Sequence, residues 1–203
     1  MTLDMSAKLR DLPDVLFRAF PHRTYAEDFV RGRFRLGSLA YYRDVADESR
    51  RDSSEGTASY RSAGGVETQA TIGNHSESYL LCCATNDVDL SYLRNKMGEY
   101  IVKIHDPSAL VREMESFLEI NRVPIFNGVH GRLAEYTKNE AKHGELDSFD
   151  NFDLCFRQKN RGYAAENEYR LFFILSRQDS RFIEGEHFKF DLGNPLDFAE
   201  ILA

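Results

Sequence analysis

The chain has no tryptophan, three cysteines, and no apolar run near the roughly 20 residues needed to span a bilayer. No membrane association is expected. Cys82 and Cys83 are adjacent and Cys155 stands far away. An odd number without a Cys-x-x-Cys pair excludes a disulfide framework and a structural zinc site, and fits a reduced compartment. The opening stretch MTLDMSAKLRDLPD holds no apolar segment of the secretory kind, so a cytoplasmic protein is expected. A surplus of positive charge is also missing. The net charge of −7 argues against a general polyanion binder.

Familiar chemical signatures are absent as well. There is no GxxxxGK[ST], no GxGxxG after a strand, and no HExxH, DxDxDG or GxSxG. The histidines His22, His75, His105, His130, His143 and His187 are scattered, and none lies at metal-ligand spacing. No metal site is expected. His130 sits in a short strand-like stretch, where a satisfied structural role outweighs a role as base. Cys82 and Cys83 fall on opposite faces of a strand, cannot share a metal, and read as small core fillers.

A composition of 42% hydrophobic and 29% charged residues is that of a folded globular chain. Its 203 residues fit one domain. Charge is unevenly spread: residues 1–62 carry 11 basic groups, 10 of them Arg, against 10 acidic ones. Arginine suits bidentate contact with phosphate or carboxylate, so this third is where a phosphorylated ligand is expected, unless the guanidiniums pair with the acids around them.

The most concentrated chemistry is in NRGYAAENEYRLFFILS, Asn160–Ser176. From Glu168 the pattern is a strand, with Glu168, Arg170, Phe172 and Ile174 on one face and Tyr169, Leu171, Phe173 and Leu175 on the other. Leu171–Leu175 is apolar on both faces, which predicts an interior strand. A carboxylate and a guanidinium at its entrance need partners or a ligand. Two readings stand open: a strand-end ion pair, or a carboxylate at the mouth of a cleft.

Elsewhere the pattern predicts a strand at Val15–Phe20 and a helix at Thr24–Arg31. The helix buries Tyr25, Ala26, Phe29 and Val30, and Gly32 follows it. A strand at Phe34–Leu36 then turns at Gly37-Ser38 into a further extended run, Leu39–Arg43. A long polar loop is expected at about 44–65, either solvated or a lid. Strands follow at Val66–Ile72, Tyr79–Ala84 and Glu99–Ile104, with a short helix at Leu90–Met97. Asp106-Pro107 starts a helix that buries Leu110, Val111, Met114, Phe117 and Leu118. A hairpin is expected around Asn127-Gly128, a strand at Phe152–Arg157, a strand or hairpin at Arg181–Leu192, and a last helix from Asn194-Pro195 through Ile201. Strands outnumber helices without regular alternation. The expected class is α+β, one domain over 1–203 with a mixed, mainly antiparallel sheet and a few flanking helices.

Leu16-Phe17-Arg18, Gly32-Arg33-Phe34-Arg35-Leu36, Leu81-Cys82-Cys83-Ala84, Lys159…Tyr163…Glu166-Asn167-Glu168-Tyr169-Arg170 and Phe190-Asp191-Leu192-Gly193-Asn194…Asp197 follow one another along the chain. In this order they resemble a family of bacterial and phage proteins with a late Glu-x-Glu-(Tyr/Trp)-Arg strand. That family's Phe-Asn-Asp-Pro is replaced here by Tyr41-Tyr42-Arg43-Asp44, and its central Trp-containing segment is missing. The order of elements is also similar to that of ADP-ribosyltransferase toxins of the DarT type, which modify nucleic acid. This second resemblance implies an NAD-consuming transferase acting on nucleic acid or protein in phage–host conflict, with an antitoxin or inhibitor as a further partner. It implies that Arg18 contacts the NAD phosphates or adenosine ribose and that Tyr41 or Tyr42 stacks on nicotinamide. The resemblance further implies that one of Arg43, Arg50 or Arg51 holds the pyrophosphate, and that Glu168 bonds the nicotinamide-ribose 2′-OH and stabilises an oxocarbenium-like transition state. Glu55, Glu166 and Arg170 are further site candidates. The alternative expectation is a non-catalytic phage or defence module that binds a nucleotide or protein partner through the Arg-rich 43–61 loop.

Overall fold

The structure, a computed structural model, describes residues 8–44, 55–61, 67–71, 75–136, 142–143 and 154–202. Strand β1 (Leu16–Phe20), helix α1 (Arg23–Val30), β2 (Arg33–Ser38) and the short helix α2 (Leu39–Asp44) come first. Next are β3 (Thr57–Arg61), β4 (Glu67–Thr71), β5 (Ser78–Thr85), α3 (Leu90–Met97), β6 (Tyr100–Ile104) and α4 (Pro107–Ile120). The chain closes with β7 (Ile125–Leu133), β8 (Lys142–His143), β9 (Glu168–Leu175), β10 (Ile183–Glu184), β11 (His187–Asp191) and β12 (Ala199–Leu202). The class is α+β, as expected, with a curled antiparallel sheet and a few helices. No helix among the described residues is long and apolar enough to cross a membrane.

The main sheet branches at β5. One edge of β5 pairs with β9 throughout, Ser78 opposite Ile174 and Ala84 opposite Glu168. Two strands share its other edge. β2 meets it at Leu80 and Tyr79 through Gly37 and Ser38, and β1 meets it at Thr85 and Ala84 through Leu16 and Phe17. Beyond those pairs β1 follows β6 and β2 follows β11. The edge of β5 at residues 81–83 therefore faces the parting of two strands. Backbone groups left there need other partners, and Arg18 Nη1 donates to the Cys82 carbonyl at 2.5 Å.

One face of the sheet carries the larger core. Leu16, Leu36, Leu81, Val102, Leu171 and Phe173 pack there against Ala26 and Phe29 of α1 and Leu110, Val111, Met114 and Leu118 of α4. α4 starts as its sequence predicts: the Asp106 carboxylate accepts from Ala109 N–H at 2.9 Å, and Pro107 needs no N–H partner. The opposite face carries a smaller cluster of Leu39, Ala58, Leu80, Leu154, Cys155, Phe156 and Phe172, in which Phe156 stacks on Phe172 at 4.0 Å. β9 is interior and buried on both faces, as its composition predicts.

Several local expectations are corrected. Residues 39–44 form a helix, because Ser38 Oγ accepts from Tyr41 N–H at 3.0 Å and caps its start. β2 runs through Gly37-Ser38 without turning there. Within the expected 44–65 loop, Thr57–Arg61 is a strand in a second, three-stranded sheet, paired antiparallel to β4 and parallel to β8. Residues 45–54 lie outside the described residues. Asn127-Gly128 makes a bulge within one strand, with φ of 62° and 83°, and the register shifts between Phe126 and His130. Residues 154–157 are a helical turn, which drops Leu154, Cys155 and Phe156 together into one cluster; a strand would have sent them to two faces. The final segment is the strand β12, held by pairing with β6. Tyr25 is 44% exposed rather than part of the buried stripe of α1, and Phe117 is only partly buried.

Candidate functional site

Glu168 opens β9 on the face of the smaller cluster. Its register neighbours explain its surroundings: Ala84 lies opposite it, and Cys82 lies opposite Arg170. The turn before the strand brings in the rest. Asn160 caps it by accepting from Gly162 N–H at 3.0 Å, residues 161–166 wind as a 3-10 helix, and Asn167 takes a left-handed conformation, φ 43°. Asn tolerates that backbone better than most residues. The winding returns Lys159 over the carboxylates that follow it. Lys159 Nζ lies 2.6 Å from Glu166 Oε2 and 2.5 Å from Glu168 Oε2.

The other Glu168 oxygen accepts from Arg170 Nε at 2.9 Å. Arg170 completes a fork on Glu55, Nη1 to Oε1 at 2.6 Å and Nη2 to Oε2 at 3.1 Å, and also donates to the Phe156 carbonyl at 2.8 Å. Three carboxylates thus meet two cations, and every member is at least nine-tenths buried. Such a web holds together only if each charge is answered. The Glu168 backbone N–H donates to the Tyr136 hydroxyl at 2.7 Å, which fixes the start of the strand.

Burial acts unequally on the two acids. For Glu168 it opposes ionisation, but Arg170 and Lys159 outweigh it and hold the group well below the usual carboxylate range. For Glu166 burial prevails, helped by the negative charge of Glu168 and countered by Lys159, and the group is pushed up to about 7. The two acids are thus driven apart, Glu168 toward the ionised form and Glu166 toward the protonated one. Burial, together with the Glu168 charge, pushes the Cys82 thiol up far enough to keep it neutral.

A cavity of about 820 Å³ follows the parting of β1 and β2. Arg18, Tyr41, Tyr42, Glu55, Cys82, Lys159, Glu166, Glu168 and Arg170 all line it, so the fold does bring most of the expected site residues together. Arg18 sits at the fork, and its buried Nε–H has no hydrogen-bond partner among the described residues. The Tyr42 phenol is kept neutral, chiefly by burial and by the neighbouring Cys82, with Arg18 pulling the other way and Glu168 adding to the upward push. Gly37 is required beneath the two tyrosines, since a Cβ there would come within 2.9 Å of both rings.

Three expectations fare differently. Arg43 lies on α2 outside the cavity lining, because the helix turns it away from Tyr42. Arg50 and Arg51 lie outside the described residues. Cys82 is only partly buried, packed against the smaller cluster and also lining the cavity near Glu168, while Cys83 is buried in the core. Residues that the sequence reading passed over as site members are Lys159, Tyr136 and His187. Lys159 carried a signal, an isolated lysine seven and nine positions before two glutamates; Tyr136 and His187 carried none.

Among the described residues no group of His, Cys, Asp and Glu side chains is placed to hold a metal ion. Comparison with protein-family models, with curated proteins and with solved structures returns no match.

Proposed function

We propose that the cleft at the β1–β2 parting binds NAD and that the protein transfers ADP-ribose from it to a nucleic-acid or protein acceptor. The observation that carries this reading is Glu168: a buried carboxylate kept ionised at the wall of a ligand-sized cavity that is also lined by Arg18, whose Nε–H is unanswered. In the proposed reaction the bond between ribose C1′ and the nicotinamide nitrogen breaks, and its electron pair leaves with nicotinamide. A lone pair of the acceptor forms the new bond to C1′, and the acceptor loses its proton to solvent. Positive charge develops on the ribose meanwhile, and a fixed carboxylate stabilises it without reorganising. Arg170 and Lys159 orient Glu168 and keep it deprotonated. Tyr42, kept neutral, lines the cavity within electrostatic reach of both Arg18 and Glu168.

The same two cation contacts support a second reading, in which Glu168 is a buried structural ion pair and the chain is a binding module for phage–host conflict working through residues 43–61. Incubation with NAD labelled on adenine, in the presence of single-stranded DNA, RNA or cell lysate, separates the two. The transferase reading expects label on one acceptor class, lost in Glu168→Gln. No labelled acceptor from the folded wild type contradicts it, and loss of partner capture on changing Arg50 and Arg51 then supports the module.

A further inference from the structure

On the β2–β11 side of the cavity, the side chains facing the cluster side of the sheet are set by register. Gly37 pairs with His187, Arg35 with Lys189 and Arg33 with Asp191. Gly37 pairs in turn with Leu80, on the face shared with Phe172, Arg170 and Glu168. Arg33, Arg35, His187 and Lys189 all line the cavity. Arg35 and Lys189 are like charges directly opposite each other on adjacent strands, an arrangement that destabilises a sheet unless something answers it.

The neighbouring cations are answered and Arg35 is not. Arg33 Nη2 bonds Asp28 Oδ1 at 2.6 Å, and Lys189 pairs with Glu184. Arg35 has no carboxylate partner among the described residues; its contact is the Tyr25 ring, with the guanidinium carbon 5.6 Å from the centroid. That contact also explains why Tyr25 stays exposed on α1. Arg18 has no carboxylate partner either, and its buried Nε–H is unsatisfied. His187 lies within electrostatic reach of both guanidiniums, 4.4 Å from the Tyr41 ring, and burial, then Arg35 and Arg18, disfavour its protonation. A cavity wall with two unneutralised guanidiniums is built for an anion.

We propose that Arg35, with Arg18 and the His187 ring, binds the diphosphate group of a dinucleotide on the β2–β11 wall. This assignment rests on the NAD reading for the identity of the ligand. It keeps Arg18 at the phosphates, as the resemblance implies, and replaces Arg43, Arg50 or Arg51 by Arg35 of β2 as its partner. Lodged there, the diphosphate offsets the repulsion between Arg35 and Lys189 and gives Arg18 Nε–H an acceptor.

The test is calorimetric titration of inorganic pyrophosphate and of ADP-ribose into the full chain, as wild type, Arg35→Ala and Arg33→Ala. Arg35 is exposed and its loss relieves the repulsion from Lys189, so Arg35→Ala stays folded and remains interpretable. The expected result is saturable binding of both probes, about tenfold weaker in Arg35→Ala. Arg33→Ala, whose arginine is already paired, stays within about twofold of wild type. Inorganic pyrophosphate has no ribose for Glu168 to touch, so its binding is read apart from the transferase reading, and failure of that reading leaves this site standing. Equal weakening by Arg33→Ala and Arg35→Ala overturns the proposal in favour of diffuse charge. So does the absence of saturable binding, or saturable binding of a single-stranded oligonucleotide with none of pyrophosphate.

Discussion

Glu166 and Glu168 share one lysine, but only Glu168 also accepts a hydrogen bond from Arg170, which reaches Glu166 through its charge alone. A carboxyl raised from its ordinary 4.5 to about 7 contributes stability below its ordinary value, lost as pH rises through about 7. A depressed carboxyl such as Glu168 contributes stability that is lost only in strong acid. Between pH 5 and 8, then, the glutamate that matters is Glu166. The wild type is expected to lose stability across that window relative to Glu166→Gln, by at most roughly 3 kcal/mol. Urea unfolding of both proteins at pH 5 and 8 measures this, and identical pH slopes would refute it. Comparing the two proteins cancels the opposite trend of His187, whose lowered value makes protonation costly as pH falls. At this scale the sequence was half legible. Alternation along β9 marks Glu168 and Arg170 as one face, but the partners Lys159 and Glu55 reach them only through a 3-10 turn and through a segment 115 positions away.

Among the elements, the unit β1–α1–β2 decides whether there is a cleft at all. α1 ends at Gly32, whose φ of 79° most residues avoid. A Cβ there would also meet the Asn194 carbonyl oxygen, and Leu192 Cβ at 3.2 Å. Gly32→Ala is therefore expected to destabilise by about 1–3 kcal/mol, read from the denaturation midpoint. An unchanged midpoint would mean that the α1–β2 junction tolerates a different backbone. Gly32 and the capped start of α4 were readable from sequence, because the signals are local. The short helix α2 was misread as extended since Leu39-Ala40-Tyr41-Tyr42 suits a strand by composition, and the cap by Ser38 decides otherwise. β12 was misread for a different reason: its pairing with β6 outweighs the local helix signal at Asn194-Pro195.

For the molecule as a whole, the fold class followed from the pattern of strands and helices, but the fork did not. It arises because two strands claim one edge of β5, and pairing over such separations leaves no trace in local pattern. The fork creates the exposed strand edge at Cys82, the post for Arg18, and the cavity that Glu168 lines. If Glu168 served only to hold this architecture together, removing its charge would cost stability and nothing more. Breaking one partner of a buried pair typically costs about 3–5 kcal/mol. If it serves the chemistry, loss of activity outruns loss of fold. The decisive measurement is nicotinamide release from NAD by wild type and Glu168→Gln, at a temperature where both are shown to be folded. The transferase account expects release by the wild type and a loss of at least about a hundredfold in the variant. No release by the wild type, or equal release by the two, would contradict it and leave Glu168 as a structural ion pair.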